Sequence, residues 1–206
     1  MALNQTSELD NWLAEETRVL QRLHAGPGPG VARPEQVAGM SGLAMMQALL
    51  DGKIPYAAIA ETLDFLVIEI GPGRAVFQGT PGSKHLNPLG TVHGGWIATL
   101  LDSCVGCAVH STMPAGKAYT TAELKVNFVR PVSTRTPLLR AIGSVIHGGS
   151  RMATADGRLI GPDGKLYAHA STTCFIFDAP QGNVALPPSL NPLGGRAPRS
   201  GDLGAL

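Results

Sequence analysis

A stretch just before the middle of the chain combines glycines, polar side chains and an acid. It reads Asn87-Pro-Leu-Gly-Thr-Val-His93-Gly94-Gly95-Trp-Ile-Ala-Thr-Leu-Leu-Asp102. The two adjacent glycines open an apolar segment that we expect to be a helix, whose N-terminus would present unpaired N–H groups and a partial positive charge. Because glycine lets another group approach the backbone closely, such N–H groups could stabilise a carbonyl oxygen that gains negative charge. The alternative is that the pair only permits a tight turn into the helix.

Asp102 lies inside the same apolar segment. An unpaired buried carboxylate is costly, so we expect Asp102 either to have a hydrogen-bond partner or to face a site, where it could act as a general base or a nucleophile. It follows Gly94 by eight residues, or about 12 Å along a helix. One helix cannot bring both groups to one reacting atom. Two antiparallel helices at a two-fold dimer interface could place Asp102 of one subunit beside Gly94 of the other.

The apolar pattern predicts the elements that would position these groups. The segment after His93 lacks strand alternation and has few polar positions around its circumference, so we expect a buried helix. Two earlier helices, a hairpin and four later strands are expected: about Ser7–Leu23 and Met40–Leu50, a turn at residues 71–73, then Tyr119–Phe128, Pro137–His147, Met152–Ile160 and Lys165–Phe177. This order predicts an α+β fold in which an antiparallel sheet wraps around a central helix.

The chain divides by composition into three parts. We expect an N-terminal helical extension (1–60), a core domain (61–177) and a Gly/Pro-rich C-terminal tail (178–206). The charge is balanced, with 16 Lys and Arg against 15 Asp and Glu and no block of like charge, which argues against nucleic-acid or membrane partners. No export signal is recognisable at the start, so we expect a cytoplasmic protein whose three cysteines are reduced.

Two other motifs give weaker signals. Cys104-x-x-Cys107 with His110 suggests metal or redox chemistry, but all three lie in the expected buried helix and lack a convincing fourth ligand, so we expect no metal site. Arg130 and Arg151 stand in or beside strand turns and are candidate contacts for phosphate groups, since arginine suits phosphate, although both turns could simply be solvated.

The motif NPLGTVHGG, followed by Asp102 and by TTAELKVNFVRP, resembles the hotdog-fold acyl-CoA thioesterases of the phenylacetic-acid-degradation (PaaI-type) group. The resemblance covers about residues 61–177. It implies a hotdog fold, hydrolysis of a CoA thioester, and a homodimer with active sites at its interface that often forms a dimer of dimers. It implies no cofactor other than the coenzyme A of the substrate.

The resemblance also implies a role for each residue that matches the motif. The backbone N–H of Gly94 would polarise the thioester carbonyl, and Asp102 would act as general base on water or as a nucleophile that forms a mixed anhydride. Asn87 would hold the water or the carbonyl, His93 would have a structural or orienting role, and Thr121 would lie near the attacking water.

Residues near the predicted site also indicate a substrate, and two alternative functions remain open. Gly95 and Trp96 lie beside the predicted oxyanion hole, and Trp96 with Phe128 indicates an aromatic acyl group such as phenylacetyl or hydroxybenzoyl, while Arg130 and Arg151 would meet the CoA phosphates. One alternative is a hotdog enoyl-CoA hydratase, but Gly90 stands where its D-x-N-P-x-H loop needs a histidine. The other is a non-catalytic module that binds acyl-CoA.

Overall fold

The computed structural model describes residues 7–179. Four helices come first: α1 (Glu8–Ala25), α2 (Pro34–Val37), α3 (Gly42–Leu50) and α4 (Ala58–Thr62). The remaining elements are β1 (Phe65–Gly71), β2 (Arg74–Gly79), α5 (Gly94–His110), β3 (Lys117–Phe128), β4 (Leu139–Gly148), β5 (Met152–Ile160) and β6 (Leu166–Asp178). The predicted order is confirmed, with α2 and α4 as two short helices beyond the two expected, and the last four strands begin and end within two residues of the expected positions.

The six strands form one antiparallel sheet in the order β1-β2-β4-β5-β6-β3, so β1 and β3 are its edges. Helix α5 packs against the inner face, and its residues Leu100, Leu101 and Val105 have no exposed surface. The helix and sheet approach closely because β4 carries Gly143, where a Cβ would lie 2.3 Å from the carbonyl oxygen of Cys104. The predicted α+β fold, a sheet wrapped around a central helix, is confirmed.

The N-terminal extension covers the β1 side of this sheet. Helix α1 begins with a capping box between Ser7 and Asp10 and lies on the outer face. On that face α1 contacts Gln78 and Arg140, which pair with each other across β2 and β4. The Gln78 amide donates to the carbonyl oxygen of Trp12 over 3.4 Å, and the Arg140 guanidinium lies 4.3 Å from the centre of the Trp12 ring.

On the other side of the sheet, α3 reaches the end of α5. The Gly42 N–H donates to the carbonyl oxygen of Met113 over 2.9 Å, and a Cβ at Gly42 would lie 1.8 Å from the carbonyl oxygen of His110. Within residues 7–179, strand β3 pairs only with β6 and keeps its other edge free. The expected tail (178–206) lies outside the described residues beyond its first two positions.

Candidate active site

The first turn of α5 is built around a histidine cap. His93 is the N-cap residue, and its Nδ1 accepts a hydrogen bond of 2.8 Å from the Gly95 N–H. The Trp96 N–H donates to the His93 carbonyl oxygen over 3.0 Å. Of these first three amides, only the Gly94 N–H has no hydrogen-bond partner among the described residues. The helix therefore presents one free donor, at its positive end, from the glycine that the sequence singled out.

Asp102 lies about two turns further along α5 and is half-buried. Its Oδ1 accepts a hydrogen bond of 3.1 Å from the hydroxyl of Thr121 on β3. The register of β3 against β6 shifts between Thr121 and Glu123, and a bulge of this kind re-aims a side chain. The structure thus brings together two residues that were predicted to share a site.

The thiols near Asp102 are held in their neutral form. Burial, with the Asp102 charge as a smaller contribution, raises the pKa of Cys107 to about 12. Burial likewise raises the pKa of Cys104 and of Cys174, and Cys104 donates its S–H to the Leu101 carbonyl oxygen. Since a thiol is nucleophilic as the thiolate, the group suited to chemistry in this region is the Asp102 carboxylate rather than a cysteine.

Asn87 organises the loop that leads into α5. Its Oδ1 accepts from the N–H groups of Leu89 (2.9 Å) and Thr91 (3.2 Å), and its Nδ2 donates to the Thr91 hydroxyl over 2.8 Å. An amide nitrogen carries two hydrogens, so one donor of Asn87 remains for a water or a carbonyl group.

An open cleft of about 320 Å³ lies beside Gly94. Phe128 and Arg130, at and just beyond the end of β3, line it together with apolar residues such as Ile97 and Val132. The Phe128 ring lies against Gly94, since a Cβ at Gly94 would come within 3.0 Å of the ring. The structure therefore places the predicted carbonyl-binding glycine, an aromatic wall and a candidate phosphate contact around one space.

Other predicted contacts are not brought to this cleft. Trp96 is 3% exposed, donates its indole N–H to the Leu63 carbonyl oxygen over 2.7 Å and stacks on His85, so it is a core residue with almost no surface for a ligand. The Gly95 N–H is already bound by His93. Arg151 lies at the turn between β4 and β5, near the C-terminal end of α5 and at the opposite end of the sheet from Gly94.

Among residues 7–179, no group of three or more His, Cys, Asp or Glu side chains lies close enough to hold a metal ion. In that same range, none of the helices has the length and apolar character needed to span a bilayer.

One residue of this region was not recognised from the sequence. His85 is buried, and its carbonyl oxygen accepts the His93 N–H over 2.8 Å. Its Nδ1 accepts from the Gly82 N–H, whereas its Nε2 has no hydrogen-bond partner among the described residues. The signal that could have found it is its place two residues before Asn87, in the same polar stretch.

A sheet of six antiparallel strands wrapped around one long helix defines the hotdog fold, and comparisons with known proteins agree. Residues 89–168 match the model of the Thioesterase superfamily. Two provisionally named esterases are similar to this chain. One, from Saccharolobus solfataricus, is 30% identical over 118 residues, covering 57% of this chain and 82% of the relative. The other, from Caenorhabditis elegans, is 31% identical over 107 residues, covering 52% of this chain and 61% of the relative, which is less than two thirds of its length.

Similar solved structures indicate which group of the superfamily this chain resembles. A phenylacetic acid degradation-related protein of Ralstonia eutropha JMP134 is 30% identical, with 63% of this chain and 97% of that chain covered and a TM-score of 0.58. The phenylacetic acid degradation protein PaaI of Thermus thermophilus is 27% identical, with 57% and 96% covered and a TM-score of 0.51. The chain belongs to the thioesterase superfamily, in its PaaI-type hotdog group.

Proposed function

We propose that this protein is an acyl-CoA thioesterase, which hydrolyses a CoA thioester to a carboxylic acid and free coenzyme A. The observation that carries the proposal is that α5 presents two chemically suited groups, the Gly94 N–H and the Asp102 carboxylate. A free N–H at Gly94 opens into a cleft, and the Asp102 carboxylate is held by Thr121. A thioester is already activated, so its hydrolysis needs an oxyanion stabiliser and an activated water more than a strong acid.

In the proposed reaction the Gly94 N–H donates to the thioester oxygen, and the helix N-terminus stabilises the charge that develops there. Asp102 either takes a proton from the water that attacks the carbonyl carbon, or attacks that carbon itself to form an anhydride that water then opens. The carbon–sulfur bond breaks, and coenzyme A leaves as a thiolate that takes up a proton. His93 holds the first turn of the helix, and Asn87 offers its remaining N–H to the water.

The site needs two subunits. Gly94 and Asp102 are about 12 Å apart along one helix, too far to act on one carbonyl group. We propose a homodimer, which two such dimers can extend to a tetramer, in which Asp102 of one copy faces Gly94 of the other across a two-fold axis. The free edge of β3, which carries Thr121, is the surface on which the copies would pair.

The substrate is proposed to be an aromatic acyl-CoA, such as phenylacetyl-CoA or hydroxybenzoyl-CoA. Arg130 lines the cleft and, in this proposal, meets a CoA phosphate. Because Arg151 lies at the opposite end of the sheet, it would reach the same CoA only from the partner copy. The free thiols Cys104, Cys107 and Cys174 fit the expected cytoplasmic location.

A thiol-release assay over acetyl-, hexanoyl-, phenylacetyl- and 4-hydroxybenzoyl-CoA tests the proposal. We expect turnover of at least one ester, and at least about a 100-fold loss of kcat in Asp102→Asn, since a positioned base contributes roughly 10²–10⁴-fold. Asp156→Asn, an exposed acid on β5, is the matched control and should keep full activity. Full activity of Asp102→Asn contradicts the mechanism, and tight binding of acyl-CoA without any turnover favours the non-catalytic module.

A mixed-subunit experiment tests the shared site. Gly94→Pro lacks the donor and Asp102→Asn lacks the carboxylate, so each pure variant is expected to be inactive. In a co-expressed 1:1 mixture, random pairing makes about half of the dimers mixed, and each mixed dimer carries one intact site. We expect about a quarter of the wild-type activity. Activity no higher than that of the separate variants would place each site within one chain.

A further inference from the structure

We propose that Phe128 selects the acyl group, and that its ring favours flat aromatic acyl groups over flexible aliphatic ones. The inference rests on the proposed thioesterase function and adds to it the residue that determines specificity. The end of β3 contacts the first residue of α5, and the sequence did not reveal this contact.

The Phe128 ring covers the α-carbon of Gly94. A Cβ built on Gly94 would lie 3.0 Å from Cζ of the ring, 3.3 Å from Cε1 and 3.6 Å from Cε2. The outer end of the ring therefore packs against the α-carbon of the residue that carries the free N–H, while 55% of Phe128 stays exposed. A side chain that only filled the core of one copy would be covered on all sides, so part of this ring remains for a ligand at the site that two copies would form.

The ring is held in place by the backbone on which it stands. Phe128 pairs with Ala168 at the end of the β3–β6 ladder. The next two N–H groups, of Val129 and Arg130, both donate to the carbonyl oxygen of Tyr167, over 2.9 and 3.0 Å. An acyl carbonyl that accepts from the Gly94 N–H must bring its oxygen to about 3 Å of that nitrogen. In the proposed pose the acyl substituent extends from this carbonyl along the Phe128 ring, which lies against the α-carbon of Gly94.

Phe128 is also the aromatic residue of the cleft, within the described part of the chain. Trp96, the other aromatic that the sequence offered, is 3% exposed and cannot select a ligand. Contact between two aromatic rings stabilises a complex beyond the gain from burial. This additional stabilisation corresponds to about a three- to tenfold preference for an aromatic acyl group. The ring therefore discriminates by the shape and π-surface of the acyl group rather than by charge.

The test is the ratio of kcat/KM for phenylacetyl-CoA to that for hexanoyl-CoA. Phe128→Ala is expected to lower this ratio about three- to tenfold, Phe128→Leu to lower it as well, and Phe128→Tyr to keep it. Phe175→Ala is the matched control, because Phe175 is 56% exposed on the outer face of the sheet. If Phe128 only packed against α5, Phe128→Ala would slow both esters equally. A ratio within twofold of the wild-type value would overturn the inference.

A binding measurement separates this inference from the proposed function. If the wild-type protein hydrolyses none of the four CoA esters, the proposed thioesterase function fails. The selector role is then measured with the non-hydrolysable thioethers benzyl-CoA and hexyl-CoA by calorimetry. A Kd ratio that shifts at least threefold against benzyl-CoA in Phe128→Ala supports the role, and an unchanged ratio overturns it. Thermal melting of each variant verifies that the fold is retained, and Phe128→Leu keeps most of the apolar contact.

Discussion

The hydroxyl of Thr121 donates a hydrogen bond of 3.1 Å to Oδ1 of Asp102. The two residues are 19 positions apart in the chain and belong to different elements, an edge strand and the central helix. The bond ties the carboxylate to the strand whose free edge is proposed to meet a second copy. It leaves Oδ2 of Asp102 for a water or a thioester, so the acid is oriented before a substrate arrives.

Loss of this bond should slow turnover without unfolding the protein. Thr121→Val keeps the size of the side chain but removes the donor, and we expect kcat to fall about 10- to 100-fold because a hydrogen bond to a charged group contributes roughly 1.5–3 kcal/mol. Thr121→Ser keeps the hydroxyl and should retain most of the activity. The measurement is kcat for the best CoA ester, with melting temperature as the control. If the valine variant is as fast as the serine variant, Thr121 does not position Asp102.

The role of the Gly94 N–H can be isolated with a pair of substitutions. Proline is well tolerated at the first helical position and lacks the N–H, and the preceding residue, His93, already has the extended backbone (φ −63°, ψ 135°) that proline requires. Gly94→Ala keeps the N–H and displaces the Phe128 ring equally, since both variants carry a Cβ. We expect kcat of Gly94→Pro to be about 10²–10³-fold below that of Gly94→Ala. Equal activity in the two variants would show that this amide is not the oxyanion donor.

His93 should act through the helix cap rather than through proton transfer. His93→Ala removes the acceptor of the Gly95 N–H, which should cost about 1 kcal/mol and lower the melting temperature by about 2–4 °C. His93→Asn supplies another good capping side chain and should restore both stability and activity. Calorimetry and the thiol-release assay measure the two effects. A variant His93→Asn that is stable but inactive would instead assign His93 a chemical role.

The buried His85 predicts a loss of stability in acid. Burial lowers its pKa below 6.5, and the nearby Asp64 opposes this effect only partly, so the ring is neutral in the folded protein. Below pH 6.5 the unfolded chain binds a proton that the folded chain excludes, so the free energy of unfolding falls as the pH decreases. Burial lowers the pKa of His110 as well, which adds an effect of the same sign.

Melting temperatures at pH 7.5 and pH 5.5 measure this effect. We expect a lower melting temperature at pH 5.5, and a smaller difference between the two values in His85→Gln, which does not titrate. The exposed His169 on β6 provides the control, since His169→Gln should leave the difference unchanged. A difference in His85→Gln equal to that of the wild type would assign the acid sensitivity to other groups.

The elements of this fold and the residue types of its site were readable from the chain because they depend on neighbours in sequence. The apolar run after His93 predicts α5, since a segment with few polar positions must be enclosed. The glycines at its start and the single acid within it mark the same helix. Alternation and turn residues likewise predicted the four later strands within two residues.

The contacts between elements were decided by the order and register of the strands. Because β3 lies at the sheet edge beside β6 rather than beside β4, Thr121 reaches Asp102 and Phe128 reaches Gly94. The helical face on which Trp96 falls turns toward the sheet, so this residue is buried although its neighbour Gly94 opens into the cleft. Local patterns cannot specify such pairs, because the free energy that chooses them comes from packing across the whole sheet and helix.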